Sequence, residues 1–129
     1  MNASEISKQR RIEVAKRLAA LHPGLEINQV GDYTSLRIEP GKLKACIVVS
    51  RTADKASFLI RNSELLDAIK AARLKVIPKT SRAKAFAGFE YRVLGVSIQA
   101  VDRNQELFKK LVDESVKLVM ELQKGNMHG

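Results

Sequence analysis

Between Gly41 and the polar segment Arg51-Thr52-Ala53-Asp54, residues Ala45-Cys46-Ile47-Val48-Val49 make the chain's one uninterrupted five-residue apolar run rich in β-branched side chains. Five residues are too few for a buried helix, and β-branching favours extended backbone. A run that is continuous rather than alternating predicts a strand covered on both faces. Such a strand belongs at the centre of a sheet, so the rest of the chain must supply its neighbours and its covering layers.

The flanking segments supply them. Leu25 to Ile38 reads as two short strand pieces broken at Gly31-Asp32. Glu39-Pro40-Gly41-Lys42 follows as a hairpin connection, Pro40 fixing φ and Gly41 free to take positive φ, which sets Leu36–Ile38 antiparallel to the central strand. Ala56 to Ile60 is the third strand of this meander. Lys75-Val76-Ile77 forms a brief strand, and Phe89 to Ile98 reads as one strand with Phe89, Tyr91 and Val93 on one side and a bulge at Gly95.

Three helices complete the pattern. Ser4 to Leu21 runs from an N-cap at Ser4 to the stop His22-Pro23-Gly24, with Val14, Leu18 and Leu21 on one side. Its cations Lys8, Arg10, Arg11, Lys16 and Arg17 point around the cylinder, the distribution of a solvated helix. Glu64 to Arg73 follows a cap at Asn62 or Ser63 and carries Leu65, Leu66, Ile69 and Ala72 on one face. Asp102 with Gln105 makes a capping box before the broad stripe Leu107, Phe108, Leu111, Val112, Ser115, Leu118, Val119 and Leu122, and Gly125 ends that helix. The expected fold is α+β in the order αβββαββα: an antiparallel sheet of four to five strands with helices packed on one side. The 129 residues suit a single domain spanning 1–129, with 1–3 and 125–129 frayed.

Several chemistries find no support in the residues. His22 stands beside a proline turn and His128 near the chain's end, which leaves no base for a Ser-His-Asp or Cys-His constellation. The single cysteine, Cys46, lies inside the apolar run and reads as a small buried hydrophobe. One cysteine and two distant histidines give no zinc spacing, and neither glycine-rich phosphate loop occurs, so no metal and no cofactor are expected. Asp32 and Glu39 with Lys42 or Lys44 loosely resemble a metal-dependent nuclease set, but a turn separates acid from lysine and solvated hairpin charges account for them. No stretch approaches the roughly 18 apolar residues that cross a bilayer. Asn2 to Arg11 lacks a signal-peptide core, and the expectation is a cytoplasmic protein with no membrane partner.

Charge is the functional signal. Lys and Arg number 23 against 14 Asp and Glu, a net +9 that favours polyanionic partners. Lys79, Arg82 and Lys84 crowd together after Pro78, and Arg51, Lys55 and Arg61 are candidates to join them on phosphates. With four Phe, two Tyr and no Trp, backbone contact with a duplex is favoured over single-strand stacking.

Phe58-Leu59-Ile60-Arg61-Asn62-Ser63-Glu64-Leu65 resembles the strand running into a helix of the MmcQ/YjbR-like family, and Glu106-Leu107 through Leu111 to Ser115 and Leu118-Val119 is similar to that family's closing helix. The likeness spans about Gly31 to Leu122 and implies a double-winged, DNA-binding-like α+β fold. It departs where the family's tryptophan before the last strand is replaced by Phe89 or Tyr91, where Val116 follows the closing-helix serine, and where Arg61 stands for a common lysine. The resulting expectation is a non-enzymatic domain binding nucleic acid, duplex DNA in particular, through phosphate contacts. The rival is a protein-interaction module or homo-oligomer without nucleic-acid binding.

Overall fold

A computed structural model describes residues 3–39, 43–50, 54–79 and 84–123. Helix α1 (Ala3–Ala19) leads into strands β1 (Glu26–Val30), β2 (Tyr33–Arg37), β3 (Ile47–Val49) and β4 (Lys55–Leu59). Helix α2 (Ser63–Ala71), strands β5 (Lys75–Pro78) and β6 (Glu90–Leu94), and helices α3 (Ile98–Arg103) and α4 (Gln105–Leu118) follow. The strands make one open antiparallel sheet in the order β1-β2-β3-β4-β6-β5. The α+β class is as expected from the sequence, and β3 stands inside the sheet with β2 and β4 on either side.

The sheet has six strands instead of four to five. Gly31, at φ 58°, and Asp32 close a two-residue loop between Val30 and Tyr33, so the two pieces of 25–38 pair with each other as separate strands. The chain then departs from a simple meander after β4. It crosses through α2 to β5, skips one position, and returns as β6 into the gap, antiparallel to both β4 and β5.

Alternation decides which residues meet the helices. Thr34, Val49, Ala56, Val93 and Val76 stand opposite one another across five strands, as do Leu36 with Ile47 and Phe58 with Tyr91. This face carries the helical layer: the Phe58 and Phe108 rings are 6.2 Å apart, and Arg11 Nε donates to Thr34 Oγ1 at 3.0 Å. α1 lies over β1–β3, α4 over β4, and α2 against α4 and β5. Arg11, Val14, Ala15 and Leu18 form the buried stripe of α1 at i, i+3, i+4 and i+7. Arg11 therefore departs from the expectation of a uniformly solvated set of cations. Ser115 ties α4 to the sheet, its Oγ accepting from the Leu59 N–H at 3.0 Å and donating to the Leu111 carbonyl at 2.8 Å.

Three boundaries also depart from expectation. Asp102 lies within α3 and is no cap: Ser97 Oγ accepts from the Ala100 N–H at 3.1 Å and starts that helix, and α4 begins separately after Asn104. β6 ends at Leu94, because Gly95 at φ 87° turns the chain and the Gly95 and Val96 N–H groups both donate to the Asp54 carbonyl at 2.7 and 2.9 Å. α1 already includes Ala3, ahead of the expected cap at Ser4, and closes at Ala19 before Leu21. The Asn62 cap agrees, its Oδ1 accepting from the Glu64 N–H at 2.9 Å. The Pro40-Gly41 turn lies outside the described residues, as does Gly125.

Candidate nucleic-acid interface

On the face away from the helices, cross-strand register aligns Asn28, Ser35, Val48, Ser57, Arg92 and Ile77 in one row over all six strands. The three middle residues are small. Between them and taller neighbours at each side opens a cavity of about 420 Å³, with Val48, Ser50 and Ser57 as its floor. Tyr33, Val30 and Asp32 rise on the side of the β1–β2 turn, and Arg92 and Lys79 on the opposite side. The cavity thus follows from residue size on this face: Val48, Ser50 and Ser57 lie low between Tyr33 on one side and the long cations Arg92 and Lys79 on the other.

Lys79 follows β5, hydrogen-bonds through its N–H to the Glu90 carbonyl at 3.0 Å, and sends its side chain across β6. Its Nζ is 3.4 Å from Ser57 Oγ, which accepts, and 3.9 Å from Glu90 Oε2. Glu90 is fully buried, so the ammonium lies close to a carboxylate shielded from water. Arg92 is half-buried next to Ser57 and, among the described residues, no ion pair or hydrogen bond engages its side chain. A guanidinium carries five N–H donors in a planar fork. Held half out of water at the edge of the cavity, those donors are available to an incoming oxyanion.

The other end of this face is closed. Arg37 Nε donates to Ser35 Oγ at 3.2 Å and its Nη1 to the Leu43 carbonyl at 3.5 Å, while Ser35, Leu59 and Glu90 have almost no exposure. Thr34 Oγ1 donates to Gln29 Oε1, and Gln29 Nε2 donates to the Gly31 carbonyl at 2.6 Å, which braces the turn that presents Asp32 and Tyr33.

The six cations expected to contact phosphate do not form one cluster. Lys79 lines the cavity, and Lys55, two residues before Ser57 on β4, shares its face and pairs in register with Leu94, whose other partner is Lys75. Lys84 is exposed on a 3₁₀ turn, Lys84–Phe86, pinned by the fully buried Phe86. Arg61 belongs to the helical side: its Nη2 donates to Glu121 Oε2 at 3.1 Å, and its N–H and that of Asn62 donate to Glu114 Oε2. Arg51 and Arg82 lie outside the described residues. Arg92 was not among the candidates, although alternation with Tyr91 and Val93 on the core side already turned it outward.

Among the described residues no group of His, Cys, Asp or Glu is placed to hold a metal ion, and no helix is long and apolar enough to cross a membrane. No family model, curated protein or solved structure matches the chain.

Proposed function

We propose that the chain is a non-enzymatic nucleic-acid-binding domain whose open sheet face holds phosphate groups, with Arg92 and Lys79 as the central contacts and Lys55 beside them. The observation that carries this reading is the half-buried Arg92 guanidinium, unengaged among the described residues and aimed at a cavity that Lys79 also lines. The net charge of +9 would draw a polyanion to the chain, and a planar guanidinium suits phosphate oxygens better than an ammonium does. The resemblance to MmcQ/YjbR-like proteins rests on the spacing in Phe58 to Leu65 and Glu106 to Val119; it implies a DNA-binding-like fold and carries no function by itself.

Titrating a labelled oligonucleotide at two salt concentrations tests the proposal. Arg92→Gln should weaken binding and flatten the slope of log affinity against log salt by roughly 0.7–0.9, the share of one phosphate contact. Arg61→Gln, which removes a cation of equal charge from the helical side, should leave both unchanged. If Arg92→Gln binds as the parent does with the same slope, the open face is not the contact surface.

The rival reading, an interaction module, has its own support in Val30, 65 % exposed on the outermost strand β1, and Ile77, 44 % exposed on β5 at the other edge. A dimer in light scattering that persists on dilution, with no oligonucleotide affinity at low salt, would favour it.

A further inference from the structure

We infer that the cavity takes one unpaired nucleotide of a single strand, the base against Tyr33 and the phosphate between Arg92 and Lys79. This rests on the nucleic-acid reading and departs from the duplex contact expected from the composition.

Shape and polarity both favour a single strand. At about 420 Å³ the cavity falls within the range of roughly 300–1,000 Å³ typical of small-molecule sites. A duplex keeps its bases stacked inside and presents phosphate ridges, which lie across a concavity without filling it. An unstacked base can enter one. Tyr33 is the only exposed aromatic among the described residues, 41 % accessible, and it stands on the cavity wall with Val30. A single aromatic ring placed there suffices to stack one base, whatever the scarcity of aromatics elsewhere.

The charges are segregated along the same axis. Asp32 lies at the Tyr33 end, and the cations Arg92 and Lys79 at the other. β2 and β6 are separated by three interstrand steps, about 14 Å between backbones, and Tyr33 and Arg92 both line the cavity between them. Asp32 sets a carboxylate at the tyrosine end, away from the two cations. Between them Ser50 and Ser57 line the floor over which the sugar would lie. An arrangement serving only diffuse attraction to a duplex has no use for a carboxylate at one end.

The test compares a short labelled single strand with the same sequence annealed as a duplex, on the parent, Tyr33→Ala, Tyr33→Phe and Arg92→Gln. The single strand should bind more tightly than the duplex. Tyr33→Ala should lower single-strand affinity roughly 5- to 150-fold, the range of one lost base stack, with the salt slope unchanged. Tyr33→Phe, which keeps the ring, should restore binding and so excludes misfolding as the cause. If duplex and single strand bind equally, Tyr33→Ala changes neither and Arg92→Gln still weakens both, the phosphate-binding reading stands and the nucleotide site falls. If neither nucleic acid binds at low salt, both fall.

Discussion

Arg73 and Gly95 occupy the same region of backbone space and answer it differently. Arg73, at φ 64°, follows the end of α2, where the Arg73 N–H donates to the Lys70 carbonyl at 2.9 Å and the Leu74 N–H to the Ile69 carbonyl at 3.1 Å. This is the double hydrogen bond of a glycine-favouring helix end, made here by a residue with a Cβ. Arg73→Gly should therefore stabilise the chain by about 1 kcal/mol in urea denaturation, since the left-handed conformation costs roughly 1–2 kcal/mol for a side-chain-bearing residue. Gly95→Ala should act in reverse, costing about 1–3 kcal/mol, because φ is 87° and a Cβ would lie 3.0 Å from Leu74 Cδ2. Residue chemistry of this kind is partly legible in the sequence: Gly95 announced a special backbone position, whereas nothing in Ala72-Arg73-Leu74 distinguishes a left-handed arginine from a last helical one. Cys46, fully buried, follows from its apolar neighbours alone.

At the scale of elements, α4 was the most legible because its pattern is local. A stripe at helical spacing buries Phe108, Leu111, Val112, Ser115 and Leu118 as that spacing requires. Ser115 looks out of place in such a stripe until its partner is known. Its hydroxyl satisfies the N–H of Leu59 on a strand 56 residues earlier. Ser115→Ala should cost about 1–3 kcal/mol by chemical denaturation, the penalty of leaving a buried donor without an acceptor, and a loss below about 0.5 kcal/mol would remove this pin from the account of how α4 docks. The start of α4 was misread because Asp102 and Gln105 have capping-box spacing, whereas Ser97, five residues before Asp102, caps the separate helix α3 and α4 begins after Asn104 with no side-chain cap. Arg17 Nε, 3.0 Å from Asp102 Oδ1, shows what occupies that carboxylate instead.

For the whole molecule, the candidate site was only half legible. Strand periodicity turns Arg92 outward, but its adjacency to Ser57 and Lys79 depends on β6 entering between β4 and β5, a pairing that no local pattern encodes. A basic excess is visible in composition, while its division between the open face and the helical side, where Arg61 and Arg17 are ion-paired, is a property of the fold. The chain's single thiol gives a readout of global opening, since Cys46 has no exposure. Labelling of Cys46 by a thiol reagent should slow when an oligonucleotide is added at low salt, in proportion to 1 + [L]/Kd, and the protection should vanish at high salt. Protection that ignores salt would point to a ligand held by something other than phosphate contacts.

The insertion of β6 also sets an order of events during synthesis. A chain released as far as Lys79 already contains Tyr33 and Ser57, yet Lys79 has no place beside Ser57, because the strand that bridges β4 and β5 has not arrived. Arg92 comes into place only with the strand that closes the gap. A growing chain thus carries these basic residues before it owns the groove, and the proposed binding would have to await the seating of the last strand.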